Sequence, residues 1–145
     1  MYPEGTDAEW FGIDALGYVG RFTTGGVGPV PKKVIDAKLP WFYETNNLGV
    51  SSRVKMLKEL PRSDDFLDLA KRGIYGFDWD DVHRSKKNER KRYELISKPL
   101  TPILFDKIQE FFSQSRPVVT FENIEFNNSH WIDLTSNLNW ISGTS

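Results

Sequence analysis

The stretch Trp10-Phe11-Gly12-Ile13-Asp14-Ala15-Leu16-Gly17-Tyr18-Val19-Gly20-Arg21-Phe22-Thr23 decides the fold. Two short runs rich in aromatic and β-branched residues flank Ala15-Leu16-Gly17. Asp14 suits the first position of a turn and Gly17 the position that needs an unusual φ, so the stretch reads as a β-hairpin with a short loop. Just beyond it, Thr24-Gly25-Gly26-Val27-Gly28-Pro29-Val30-Pro31 breaks regular structure, and Pro31 opens a helical stretch from Lys32 to about Lys38. Pro40 then forces any continuation through Trp41, Phe42 and Tyr43 to kink or restart.

Further along, Ser51 or Ser52 caps a helix expected over Arg53–Leu60 and ended by Pro61. Ser63 caps another over Asp64–Arg72, acidic in its first turn and stopped by Gly73. Ile74 to Asp80 alternates, with Tyr75, Phe77 and Trp79 on one face and Gly76, Asp78 and Asp80 on the other, the pattern of a half-buried strand. A charged connection from Asp81 to Arg92 leads to an antiparallel partner at Tyr93–Ser97, ended by Pro99. Thr101-Pro102 opens an expected helix with Leu104, Phe105, Ile108, Phe111 and Phe112 as its apolar stripe. Val118–Phe121, Ile124–Phe126 and Trp131–Leu134 are strand-like pieces around an Asn127-Asn128 turn, before a tail at 142–145 expected to fray. Hairpins without regular βα alternation imply one α+β domain over residues 1–145: a largely antiparallel sheet of hairpins with helices packed on one side.

Bulk numbers agree with one soluble domain. The 145 residues are 39% hydrophobic and 27% charged, enough for a single core that removes about two thirds of the open chain's surface from water. Nineteen Lys and Arg against twenty Asp and Glu leave a net charge of −1, so no global field gathers nucleic acid or anionic lipid. The absence of cysteine excludes disulfides, zinc-thiolate and iron–sulfur sites and thiol nucleophiles. With no apolar run near the ~20 residues of a membrane span and no signal-like start, the expected address is the cytoplasm, with no membrane partner.

Five features are read for chemistry. Gly25, Gly26 and Gly28, followed by Lys32 and Lys33, stand between a strand and a helix, where backbone N–H groups can meet an anion. The spacing matches neither common phosphate-binding pattern, and Pro29 and Pro31 lack N–H donors, so the plainer role is a turn needing positive φ. Asp78 and Asp80, about 6.5–7 Å apart on one strand face, offer oxygens to a hard cation, but with Asp81 and His83 they fit no calcium loop, and a solvated acidic strand end is the simpler reading. Arg84, Lys86, Lys87, Arg90, Lys91 and Arg92 form a basic run that suits an acidic protein surface; without an interleaved aromatic, nucleic acid is disfavoured. Ser129, His130 and Asp133 lack the setting of a nucleophile elbow, so His130 is read as structural. Among the tryptophans, Trp10, Trp79 and Trp131 are expected to anchor the core, and Trp41 and Trp140 are candidates for a recognition patch. No catalytic residue, metal site or cofactor is expected.

The segment from Trp10 to Pro31 follows the pattern W-F-x-x-D-x-x-G-x-V-x-x-F-T-T-G-G-x-G-x-x-P, and the later aromatic strand Ile74–Trp79 precedes a tyrosine-containing strand, Tyr93–Pro99. In these parts, about half its length, the chain resembles small uncharacterised bacterial proteins, some of immunity type. The resemblance implies a non-catalytic protein that covers the active face of a toxin; it brings no catalytic residues, and Lys32–Arg72 lies outside it. The leading expectation is therefore a cytoplasmic bacterial protein-binding domain using separate acidic (Glu4, Asp7, Glu9, Asp14) and basic surfaces. The alternative is a small-ligand or phosphate-ester binder or hydrolase built from the Gly25–Gly28 loop with Asp78 and Asp80.

Overall fold

A computed structural model describes residues 8–25, 28–36, 48–58, 64–79, 92–112, 118–133 and 140–141. The hairpin forms as its sequence dictates. Strands β1 (Glu9–Ile13) and β2 (Val19–Thr23) pair antiparallel, and Gly17 takes φ +91° at the turn. The later pair also forms, β5 (Tyr75–Trp79) against β6 (Arg92–Pro99). The two hairpins join through a parallel pairing of β2 with β5 that sets Phe22 beside Phe77. Strand β7 (Val118–Thr120) adds in parallel to β1, while β4 (Val54–Met56) and β8 (Trp131–Asp133) both add antiparallel to β6, β4 at its C-terminal half and β8 at its N-terminal half. The result is an α+β domain with one mixed seven-stranded sheet, ordered β4-β6-β5-β2-β1-β7 with β8 beside β6. A separate ladder joins β3 (Val30–Pro31) to β9 (Trp140–Ile141).

Alternation along the strands divides the apolar residues between two clusters. Trp10, Phe22, Phe77, Tyr93 and Leu95 lie in one, with Phe121, Phe126 and Ile132. Trp10 stacks on Phe22 at 4.1 Å between centroids and Phe22 on Phe77 at 4.7 Å, an aromatic row running across three strands. Gly12 and Gly20 face each other on this side and leave room for rings. A Cβ on Gly12 would stand 2.6 Å from Phe121 Cε2, and one on Gly20 2.9 Å from Phe126 Cε2. Phe11, Val19, Leu69, Ile74, Ile108 and Phe112 form the second cluster.

The two helices among the described residues divide likewise. Helix α2 (Asp64–Lys71) supplies Leu69 to the second cluster, and its Phe66 sits so close to Gly76 that a Cβ there would meet Phe66 Cδ1 at 2.7 Å. Helix α1 (Lys32–Asp36) supplies Val34 and Ile35 to the aromatic cluster, which refines the one-sided arrangement expected from sequence.

Three local expectations are corrected. Residues 54–56 are a strand where a helix was expected over Arg53–Leu60. The Ser51 and Ser52 amides both donate to the Lys71 carbonyl at the end of α2, and the Leu57 amide donates to Ile96, holding the segment extended along β6. Among the described residues 103–112 stand two 3-10 turns, Phe105–Lys107 and Gln109–Phe111, in place of an α-helix. There the Ile103 and Phe105 amides are drawn to the carbonyls of Gly73 and Gly17, and Leu104 bridges Tyr18, so the chain is fixed extended where a first helical turn would start. Ile124–Phe126 enters a 3-10 turn at Phe126–Asn128 instead of a strand. Of the tryptophans expected in the core, Trp10 is fully buried and Trp79 partly buried against it, whereas Trp131 is half-buried under Arg92.

Candidate functional site

One carboxylate organises the turn end of the sheet. Asp14 is 3% exposed and accepts three backbone N–H bonds: Leu16 and Tyr18 donate to Oδ1 at 3.0 and 2.9 Å, and Phe126 to Oδ2 at 2.9 Å. The first two close the β1–β2 turn; the third fixes the chain 112 residues later, and the Ala15 amide adds a bond to the Ile124 carbonyl. The hairpin tip and residues 124–128 are thereby locked together, and a cleft opens between them and the end of β6.

This cleft has a volume of about 330 Å³, with walls from Leu16 and Tyr18, from Lys98 to Leu100 with Pro102, and from Glu125, Asn127 and Asn128; Tyr75 also lines it. Lys98 Nζ donates to Asn127 Oδ1 at 3.1 Å, and Asn128 Nδ2 donates to Glu125 Oε1 at 3.0 Å. Tyr75 is 1% exposed, and its hydroxyl makes no hydrogen bond to another described residue. Burial pushes its phenol up to about 12, with the charge of Asp14 and then Tyr18 adding to the effect, so it is a proton donor at neutral pH. Leu16 and Leu100, 53% and 56% exposed, stand at the cleft, and Leu104, 40% exposed, lies beside Gly17. Large apolar side chains grouped on a surface in this way, at a concavity of mixed lining, mark contact surfaces more often than isolated ones do.

The other end of the sheet gathers charge. Cross-strand registers place Glu9, Thr23, Asp78, Glu94 and Trp131 in one row. Asp78 accepts from Thr23 Oγ1 at 2.7 Å. Glu94 accepts from Lys58 Nζ at 2.9 Å, and His130 Nε2 lies 3.5 Å from its other oxygen. Glu9 pairs with Arg21 at 3.3 Å in nearly complete burial, the guanidinium resting 4.9 Å over the Phe66 ring with Nε and Nη2 unpartnered. Among the described residues no group of three or more His, Asp or Glu side chains is arranged to hold a metal ion.

The residues singled out from sequence are distributed as follows. Because β2 and β5 run parallel, the Gly25–Gly28 loop and Asp78 come to the same end of the sheet, and Gly28 packs against Trp79. The Gly28 amide donates to the Thr24 carbonyl; Lys33 Nζ donates to the Val118 carbonyl at 2.9 Å, and Lys32 pairs with Asp36. Gly25 takes φ +61°. Arg92 opens β6 and stacks over Trp131 at 4.0 Å, and Trp140 meets Trp10 edge-on at 5.7 Å. Glu9 and Asp14, expected on an acidic surface, are buried and bonded internally. Trp41, Gly26, Asp80, Asp81, His83, Arg84, Lys86, Lys87, Arg90, Lys91, Glu4, Asp7 and the tail at 142–145 lie outside the described residues. The cleft residues Leu16, Lys98 and Leu100 were not singled out in the sequence, and Tyr75 was read only as part of one strand face. The proline at 99 and Tyr75 were visible, but nothing local shows that residue 75 faces residue 98 across two strands.

No helix among the described residues is long and apolar enough to cross a membrane. Compared with known proteins, the chain matches no family model, no curated protein and no solved structure.

Proposed function

We propose that this domain acts by binding a protein partner, without catalysis, and that the cleft bordered by Leu16, Leu100 and Leu104 is its docking surface. The observation that carries the reading is that the exposed leucines Leu16 and Leu100, with Leu104 beside Gly17, stand at a concavity lined by both polar and apolar side chains. Apolar anchors interleaved with polar groups give area and specificity together, as in a protein-binding patch. The likeness of the Trp10–Pro31 hairpin to small uncharacterised bacterial proteins, some of immunity type, supports the same reading, in which the partner is a toxin, and a chain without cysteine suits the reducing cytoplasm. The basic run ending in Arg92 speeds encounter with an acidic partner rather than setting affinity.

The test is hydrogen exchange on a complex rebuilt from the purified domain and a partner identified by crosslinking in its host. Protection is expected at residues 98–104 and 125–128, together with loss of binding on Leu100→Asp at unchanged thermal stability. Protection confined to another face refutes the reading.

A second reading, a small-ligand or phosphate-ester site or hydrolase at the opposite end, is favoured by the parallel β2–β5 pairing that brings the glycine loop and Asp78 together. It requires a thermal shift with inorganic phosphate, a nucleotide or Mg²⁺ that is lost on Asp78→Asn.

A further inference from the structure

We infer that the cleft recognises an acidic side chain carried on a partner loop and flanked by apolar residues. The inference rests on the docking reading above and names its chemistry. Two donors converge on one space. The Tyr75 hydroxyl belongs to a side chain buried to 1% exposure, lines the cleft and has no acceptor among the described residues; Lys98, whose hydrogen-bond partner is the neutral amide of Asn127, brings the positive charge. The hydroxyl reaches the solvent of the cleft rather than lying buried and unsatisfied, so an incoming oxygen takes the place of water there. Because the phenol holds its proton to about pH 12, it donates and does not compete as an anion.

Glu125 is the like charge among the lining residues, and it is turned to Asn128 at 3.0 Å. A carboxylate entering beside Lys98 therefore meets attraction from that ammonium, a partly engaged repulsion from Glu125, and a further repulsion from Asp14, whose charge reaches the Tyr75 phenol. Leu16 and Leu100 at the cleft receive the apolar neighbours of the acidic residue. The volume of about 330 Å³ accommodates one side chain with part of its backbone.

The experiment titrates the whole isotope-labelled domain with the peptide Ac-Leu-Asp-Leu-NH₂ and separately with Ac-Leu-Asn-Leu-NH₂, following amide signals by NMR. The aspartate peptide is expected to shift signals at residues 98–100 and 125–128 with millimolar affinity, about tenfold tighter than the asparagine peptide. Tyr75→Phe and Lys98→Met each weaken it, by roughly three- to tenfold, and Glu125→Gln tightens it. Tyr75→Phe keeps the buried ring, so a purely structural role predicts no change in that variant. Two peptides that bind alike at the cleft overturn the carboxylate inference and leave the docking reading standing. Saturating aspartate peptide without shifts at these residues also overturns it. Failure of the docking reading shows separately, as protection on another face in the exchange map.

Discussion

Replacing Asp14 by asparagine keeps the side chain's shape and removes one of its two acceptor atoms. In the native turn Oδ1 serves Leu16 and Tyr18 while Oδ2 serves the buried amide of Phe126. An asparagine can place its single oxygen on either side, and its NH₂ then faces an N–H group, so at least one charge-assisted bond is lost and a buried donor is stranded. A bond of this kind contributes about 1.5–3 kcal/mol, and the loss expected for Asp14→Asn is about 2–3 kcal/mol. Asp14→Ala strands all three donors; the Leu16 and Tyr18 amides are partly buried and recover some hydration, which holds the cost to about 3–5 kcal/mol. For a domain of 145 residues the asparagine variant should melt roughly 7–10 °C below the parent. Urea unfolding followed by tryptophan fluorescence, with thermal circular dichroism beside it, measures both losses. An asparagine variant within about 0.5 kcal/mol of the parent would refute the view that this carboxylate fastens the turn to residues 124–128.

Gly12→Ala should lose about 1–3 kcal/mol in urea unfolding because its Cβ enters the Phe121 ring, whereas Gly25→Ala, with open space around it and only a positive φ to resist, should lose about 1; equal losses would discard the steric account. Glu9→Leu leaves a buried guanidinium uncompensated while Nε and Nη2 already lack partners, and should cost about 3–5 kcal/mol; a neutral result in the same assay sinks that estimate. The Tyr75 phenol is raised above its ordinary 10.0, so its contribution is complete below pH 10.0 and fades as pH climbs towards about 12. Denaturant stability of the parent should therefore fall relative to Tyr75→Phe across that window, and parallel curves would contradict the burial argument.

What the sequence discloses is local. The tip of the first hairpin was legible from Asp14 and Gly17, whose types suit one turn, and the strand at 75–79 from strict alternation of Tyr75, Phe77 and Trp79. Helix α2 was legible from its acidic first turn and from Gly73, which takes φ +91°. Where tertiary partners compete with propensity, the reading fails. Residues 54–56 follow cap-like serines at 51 and 52, yet the serine amides bond to the Lys71 carbonyl and residues 54–56 pair along β6. The stripe from Leu104 to Phe112 has helical spacing, yet its first turn is claimed by Gly17, Tyr18 and Gly73. Parallel pairings such as Phe11 with Val118 leave no trace in either strand taken alone. The candidate cleft was hidden for the same reason: its walls come from residues near 16, 98 and 125, joined by the Asp14–Phe126, Ala15–Ile124 and Lys98–Asn127 bonds between segments far apart in sequence.

The place of β6, flanked on one edge by β5 and along the other by β4 and β8 end to end, has a consequence for biosynthesis. Both hairpins can zip up soon after they leave the ribosome, but β1 waits for residue 118 and β6 for residue 131 before their outer edges are covered. Sheets that depend on such distant closures assemble slowly. During translation the nascent chain carries two open strand edges, the condition in which chaperones are most needed.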